Sequence, residues 1–242
     1  MAFSAEYGGN TDVYVVPIEG GEPRRLTWHS ANDVVQGWTP DGARVLFASN
    51  RDGKQNDIYR WTIASKTLTQ LTKTDENEYS PLVAPDGGSF ITVHGTEQSL
   101  FRYDLAGANP RMAFQYGKEL IGYHVWIDAT HVATFVLGQP NTLQVLDITA
   151  GTGVTIDSNI GRSLLKRPGT TAVSYVSKKT QGAWTINQFD VKTRARSIIL
   201  CTRIEVTSWH SRIRSGRQLR GIASASVVSC ASESPGGVVM RE

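Results

Sequence analysis

The sequence repeats itself every 45 residues, and this period limits the folds open to it more than any other feature. Pro40-Asp41-Gly42 returns as Pro85-Asp86-Gly87, Asp12-Val13-Tyr14 as Asp57-Ile58-Tyr59, and Leu26-Thr27 as Leu71-Thr72, all at that one spacing. A chain of this kind stacks copies of one supersecondary unit, each burying its faces against its neighbours.

Each part of the unit has a physical reading. Proline fixes φ, aspartate accepts a hydrogen bond from a backbone N–H two residues on, and glycine supplies a positive φ. Pro40-Asp41-Gly42 and Pro85-Asp86-Gly87 are therefore structural reverse turns between strands. Arg44-Val45-Leu46-Phe47-Ala48 is apolar without alternation, the mark of a strand buried on both faces. Asn50-Arg51-Asp52-Gly53 opens the next turn, Asp57 to Trp61 reads as a further strand, and Lys66 to Thr72 alternates as a half-exposed outer strand does. One repeat is thus four antiparallel strands.

Repeats of this length with apolar middle strands fit the blade of a β-propeller, and no helical period competes with them. The expected fold is all-β, with blades at 33–72, 78–113, 120–157 and 160–200. A partial blade at 2–27 begins at Ala2-Phe3-Ser4-Ala5 and lacks its first strand. About five blades are present, and the fourth replaces the proline turn with Trp126-Ile127-Asp128-Ala129.

The net charge of +3 resides in the last segment, where six Arg face three Glu from Cys201 onward, so residues 1–200 are near neutral. A near-neutral body argues against a nucleic-acid partner, which selects a basic stripe. No apolar run approaches the roughly 20 residues of a membrane helix, so no membrane insertion is expected, and Met1 to Glu6 has no basic-then-apolar export pattern. Both cysteines, Cys201 and Cys230, lie outside the repeats, which leaves the redox compartment undecided. Residues 201–242 contain eight Ser and six Arg and no Pro-Asp-Gly copy. Their composition reads first as a disordered basic tail. It is also compatible with loss of the reading frame near Cys201, or with a ring-closing strand at Ala223 to Ser229.

"WTPDGARVLFASNRDGKQNDIY" and "GGEPRRLT" resemble the TolB-type, WD40-like propeller repeats that carry a Pro-Asp-Gly turn; the resemblance covers residues 2–200 and is closest over 2–113. Tyr123 to Asp128, followed by Phe135 to Pro140, resembles bacterial TolB-family proteins of unassigned role, and the first two blades are also similar to tricorn-type and dipeptidyl peptidase IV-like propellers. The resemblance implies a six-bladed or seven-bladed parent ring, often periplasmic or secreted, that serves as a binding platform. Its repeated residues build turns and cores, so they specify fold rather than function.

Chemistry is sparse. The sequence has no Gly-x-Ser-x-Gly elbow and no Gly-x-x-x-x-Gly-Lys-Ser/Thr run, and Gly151-Thr152-Gly153 sits in a hairpin, so no cofactor is expected. His124 and His131 flank Trp126 and either approach a central channel or are packing and loop histidines bonded to backbone. Asp52, Asn56 and Asp57 read either as a calcium cluster or as ordinary turn residues, and no metal site is expected. Trp28, Trp38, Trp61, Tyr79, Trp126 and Trp184 belong to interblade packing, with Trp38, on an innermost strand, the one placed to line the axis. Trp38, His124, Trp126 and His131 are the candidate partner-binding residues, and no catalytic residue is identified.

The functional expectation is a non-enzymatic interaction module that binds a protein or peptide partner through loops at one mouth of the ring. The alternative is the accessory propeller of a hydrolase or peptidase, or a propeller enzyme acting on a sugar or lactone.

Overall fold

The computed structural model describes residues 1–203 except 54, 116, 181 and 182. Residues 204–242, including the Ala223 to Ser229 stretch and most of the expected tail, lie outside the described residues. Every regular element described is a strand. The first sheet holds β1 (Ala2–Tyr7), β2 (Asn10–Val15) and β3 (Arg24–Arg25). The second holds β4 (Asp33–Trp38), β5 (Arg44–Ser49), β6 (Asp57–Thr62) and β7 (Thr67–Gln70). The third runs from β8 (Glu78–Val83) through β9 (Ser89–His94) and β10 (Ser99–Asp104) to β11 (Arg111–Phe114). The fourth contains β12 (Leu120–Trp126), β13 (His131–Leu137), β14 (Thr142–Asp147) and β15 (Thr152–Ser158). The fifth contains β16 (Ile160–Lys166), β17 (Ala172–Thr180), β18 (Ala183–Asp190) and β19 (Arg196–Arg203).

Within each sheet the strands pair antiparallel in chain order, and each blade packs on the next. Among the described residues no substantial contact joins the first and fifth blades. The second strand of each complete blade lies between two neighbours. β5, β9 and β13 are accordingly buried on both faces over most of their length, whereas outer β7 is largely exposed.

The recurring residues turn out to be partners of one another. Thr27 Oγ1 accepts the Val13 N–H at 3.0 Å, and Thr72 Oγ1 accepts that of Ile58 at 2.8 Å. The preceding Leu26 and Leu71 N–H groups donate to the carbonyls of Val13 and Ile58, both at 2.8 Å. In the first two blades the Leu-Thr pair thus fastens the end of the blade to its Asp-x-Tyr strand, which is why the two motifs share one period. In the turns, the Gly42 N–H donates to Thr39 O at 2.8 Å and the Gly87 N–H to Ala84 O at 2.9 Å, with φ of +67 and +70. Asp41 and Asp86 each accept an N–H two residues on, at 2.9 Å. Asp128 accepts the N–H groups two and three residues on, of Thr130 and His131, without proline or glycine.

A second recurrence is aromatic. Phe3 stands opposite Tyr14, Phe47 opposite Tyr59 and Phe90 opposite Tyr103, each pair stacked with ring centroids 5.3–5.9 Å apart. In the second and third blades these rings lie on the face that packs on the aliphatic face of the blade before. Phe47 and Tyr59 meet Val13 and Leu26, while Phe90 and Tyr103 meet Leu46, Ile58 and Leu71. The innermost strands β4, β8, β12 and β16 are each bulged where they pair with the second strand.

Gly37 sits at the first of these bulges, where an added Cβ would lie 2.6 Å from Pro81 O on the neighbouring blade. Because the obstacle is backbone, Gly37→Ala is expected to cost about 1–3 kcal/mol by forcing the blades apart. Gly42→Val should destabilise by a similar amount, on the order of 1–3 kcal/mol, through its positive φ alone, since nothing crowds Gly42. Urea denaturation of both variants tests this; an unchanged midpoint for Gly37→Ala would disprove the close approach.

Candidate functional site

One end of the blade array, formed by the loops between second and third strands and by the connections between blades, concentrates the buried charge. Asp33 and Glu78, equivalent positions at the start of β4 and β8, are both fully buried. Burying a carboxylate is costly unless it is paired, and each has found different partners. Arg51 Nη2 donates to both Asp33 oxygens at 2.9 Å, its guanidinium lying 4.6 Å over the Tyr59 ring. Glu78 Oε1 lies 3.0 Å from His94 Nδ1 and accepts the Tyr103 hydroxyl at 2.5 Å. Burial, then that hydrogen bond, pushes the Tyr103 phenol far above its ordinary value. Asp12 meets Arg25, and Asp157 accepts from Tyr175 at 2.7 Å and meets Lys179. Each of these acids ties a loop or blade edge to its neighbour. Removing Arg51 would leave Asp33 buried and unpaired, so Arg51→Ala should cost about 3–5 kcal/mol in chemical denaturation. Adding Asp33→Asn should then recover part of the loss; a purely additive double variant would contradict the pairing.

Glu78, His94 and Ser99 stand directly opposite one another on three adjacent strands. The acid orients the imidazole, but Ser99 is buried and the imidazole instead stacks on Phe101 at 4.1 Å. The row is arranged as a clamp between strands.

The residues singled out from the sequence fall in separate places. Trp38 packs half-buried in the core between the first two blades. Trp126 is buried between the third and fourth blades and donates from Nε1 to Leu82 O at 3.3 Å, a bond that crosses the interface. His124, two residues before it, is buried with both ring nitrogens lacking a hydrogen-bond partner. Burial holds its pKa down to about 3, so the ring is neutral. His131 begins β13 just after a turn at the opposite end, with Nδ1 3.0 Å from both Asp128 oxygens and Nε2 3.9 Å from Asp147 Oδ2. With Asp147, Phe189 and Arg194 it lines a cleft of about 230 Å³ between the fourth and fifth blades. The two histidines therefore do not share a site. Trp28 and Trp184, expected in interblade packing, are instead 67% and 54% exposed. Trp28 lies in the connection after the first blade, and Trp184 lies on the face of the fifth blade turned away from the fourth, where Lys178 sits 4.3 Å over its ring.

His124 predicts a pH dependence. Unfolded, it binds a proton near its ordinary value of 6.5; folded, it resists protonation down to about 3. Its contribution to stability is therefore complete above about pH 6.5 and is lost as the pH falls toward 3. Between pH 7 and 4.5 this should amount to roughly 2–3 kcal/mol, removed in His124→Leu. Urea unfolding at both pH values measures it; parallel losses in wild type and variant would refute the assignment.

At the charged end a cleft of about 530 Å³ is lined by Asp52, Gln55, Asp57, Lys73, Thr74 and Asp75. The Asp57 carboxyl accepts the Thr74 N–H at 3.1 Å, and Asn56 is tied to Asn77 at 3.0 Å. Burial first, then the neighbouring charges of Glu78 and Asp52, raise the Asp57 pKa. Among the described residues no three His, Cys, Asp or Glu side chains converge to hold a metal ion. None of the acids, clamps or clefts at this end was singled out from the sequence for a functional role except Asp52 and Asp57.

Residues 1–55 match the family model of the tricorn protease N-terminal beta propeller domain. The five-blade array superimposes on TolB from Acinetobacter baumannii with a TM-score of 0.66 at 18% identity, covering 81% of this chain and 50% of that one. The fold is a TolB-type β-propeller. Among curated proteins, an uncharacterized protein of Agrobacterium fabrum is 34% identical over 85 residues, 33% of this chain and 26% of the relative. Tricorn protease homolog 1 of Streptomyces coelicolor is 46% identical over 50 residues, 20% of this chain and 5% of the relative. The chain thus spans about a quarter or less of the length of these curated relatives. The TolB-type propeller supplies the frame on which the charged end and its cleft are mounted.

Proposed function

We propose that the chain is a non-enzymatic interaction module that docks a protein or peptide partner on the charged end of the blade array. The observation that carries this reading is the 530 Å³ cleft of Asp52, Asp57 and Asp75 on loops held by the Asp33–Arg51 and Glu78–His94–Tyr103 clamps. Loops fixed by buried ion pairs enter a complex with little ordering cost, which favours recognition. The partner identity is set by these loops, because the blades beneath them repeat.

A second reading, an accessory propeller working with a hydrolase, is favoured by the match to the tricorn protease homolog over 50 residues. In that case the partner is the hydrolase or its substrate. Neither reading requires turnover from this chain alone.

A photo-crosslinking side chain at Thr74, in the cleft, should yield a discrete adduct in native extract, whereas the same group at Ala150, exposed at the other end, should not. Equal adducts at both positions, or none at Thr74, would remove the basis for the docking end. A hydrolase in the Thr74 adduct would select the second reading.

A further inference from the structure

We propose that the cleft between the fourth and fifth blades, at the end away from the acidic cleft, binds a free apolar α-amino acid as its zwitterion. This site is separate from the docking end and does not depend on it. Val145, Ile156 and Phe189 are buried and form the apolar floor of the cleft, which His131, Asp147 and Arg194 also line. His131 and Asp147 are partly exposed and Arg194 is exposed, so all three are open to a ligand arriving from solvent. A volume of about 230 Å³ falls below the roughly 300–1,000 Å³ of sites that take drug-sized molecules, which selects a small metabolite over a peptide segment.

The polar groups of this cleft have unused capacity of both signs. Asp128 receives the His131 ring at Nδ1, which lies 3.0 Å from both carboxylate oxygens. Burial raises the Asp128 pKa, but bonds from the Thr130 and His131 N–H groups and from the ring itself hold it below the ordinary carboxylate value, so the acid is ionised and only accepts. Nδ1 therefore carries the proton, and in the neutral ring Nε2 presents a lone pair. Asp147 Oδ2 faces that lone pair across 3.9 Å. Asp147 Oδ1 is taken by the N–H groups of Ala150 and Thr149, both at 2.9 Å, and these bonds keep the carboxyl ionised. The gap between Nε2 and Oδ2 is too long for a direct bond, and both atoms are acceptors. A primary ammonium donates to the two from one nitrogen and supplies the positive charge that Asp147 calls for. Arg194 supplies the opposite sign. Among the described residues it forms no ion pair, and its turn does not require arginine: its φ of +59 is the left-handed position that Asn109 (+55) and Gly151 (+66) fill in the corresponding turns of the third and fourth blades. A guanidinium there is free to fork onto a carboxylate. Two acceptors for an ammonium, a fork of donors for a carboxylate and an apolar floor for a side chain together match an α-amino acid with an apolar side chain.

The test titrates the full chain, labelled with ¹⁵N, with L-leucine, following the amides of Thr149, Ala150 and Ala195, where saturable shifts are expected. Three analogues each remove one element of the match: N-acetyl-L-leucine the ammonium, L-leucinamide the carboxylate and glycine the side chain. Each should bind at least tenfold more weakly than L-leucine. Asp147→Asn keeps an oxygen for the Thr149 and Ala150 bonds, and Arg194→Asn places at the left-handed position the residue type that the third blade has at Asn109. Both variants should therefore melt with the wild type, and each should weaken L-leucine at least tenfold. The absence of a saturable shift with L-leucine overturns the proposal. So does equal binding of glycine, which would leave the apolar floor without a role, or of leucinamide or the acetylated form, which would remove Arg194 or Asp147 as a recognition group. Unchanged L-leucine binding to either variant does the same. Should a variant fail to fold, the analogue series on the wild type still decides the matter.

Discussion

Stacking of blade on blade is the constraint from which the rest follows. A single four-stranded sheet of this size cannot bury its own apolar side chains, so the middle strands lose their alternation and become apolar on both faces, as β5, β9 and β13 do. Inner strands must then approach closely enough for neighbouring sheets to touch. Each is bulged, and at Gly37 the approach leaves no space for a methyl group beside Pro81. Loops are freed from core packing and are displayed at the two ends, which is where the clefts occur.

Stacking also creates the problem that the charged end solves. Where the chain passes from one blade to the next, backbone and side-chain polar groups are trapped between sheets. Asp33 and Glu78 appear at that crossing and are buried because the next blade covers them. A buried carboxylate is tolerated only with a partner of good geometry, and each clamp supplies one from outside the acid's own strand, a loop for Arg51 and β9 and β10 for His94 and Tyr103. The consequence is directional: a clamp adds less to net stability than apolar packing would, but it fixes the loop that carries it. Arg51, bound to Asp33, adjoins Asp52 in the chain, so the clamp holds one wall of the acidic cleft in place.

Much of the fold was legible because its signals are local. Pro40-Asp41-Gly42 specifies its turn through bonds within four residues, and the apolar run of Arg44 to Ala48 declares its burial without reference to any other strand. The clamps were not legible, although Asp33 and Glu78 obey the same 45-residue period as the turns. An acid at the edge of a strand reads as solvated until the covering blade is known, and its partner lies 18 residues away at Arg51 in one case and 16 away at His94 in the other. Only a search for repeated acids, alongside repeated turns, would have found them. The Phe–Tyr stacks were similarly hidden, because the pairing register between strands, not sequence spacing alone, sets Phe47 against Tyr59 and Phe90 against Tyr103. The candidate histidines failed to meet for a related reason. His124 lies on an inner strand facing the third blade, while His131 follows a turn and belongs to the far end of the molecule.

The two faces of a blade are chemically distinct, and this asymmetry explains which aromatic residues are packed and which are exposed. In the first two interfaces the later blade contributes aromatic bulk, Phe47 and Tyr59 or Phe90 and Tyr103, against aliphatic surface of the earlier blade such as Val13, Leu26, Ile58 or Leu71; in the next two the later blade brings Trp126 or Tyr175 and the earlier blade adds a ring of its own, Phe114 or Phe135, to its aliphatic residues. Trp184 lies on the face of the fifth blade where earlier blades carry mainly aliphatic residues. The indole is half exposed on that face, where Lys178 lies over the ring and a cation–π contact takes the place of packing. Tryptophan at this position is therefore matched to the chemistry of its own surface, and the expectation that propeller aromatics fill interblade space holds for the rings that a neighbouring blade covers, on either face.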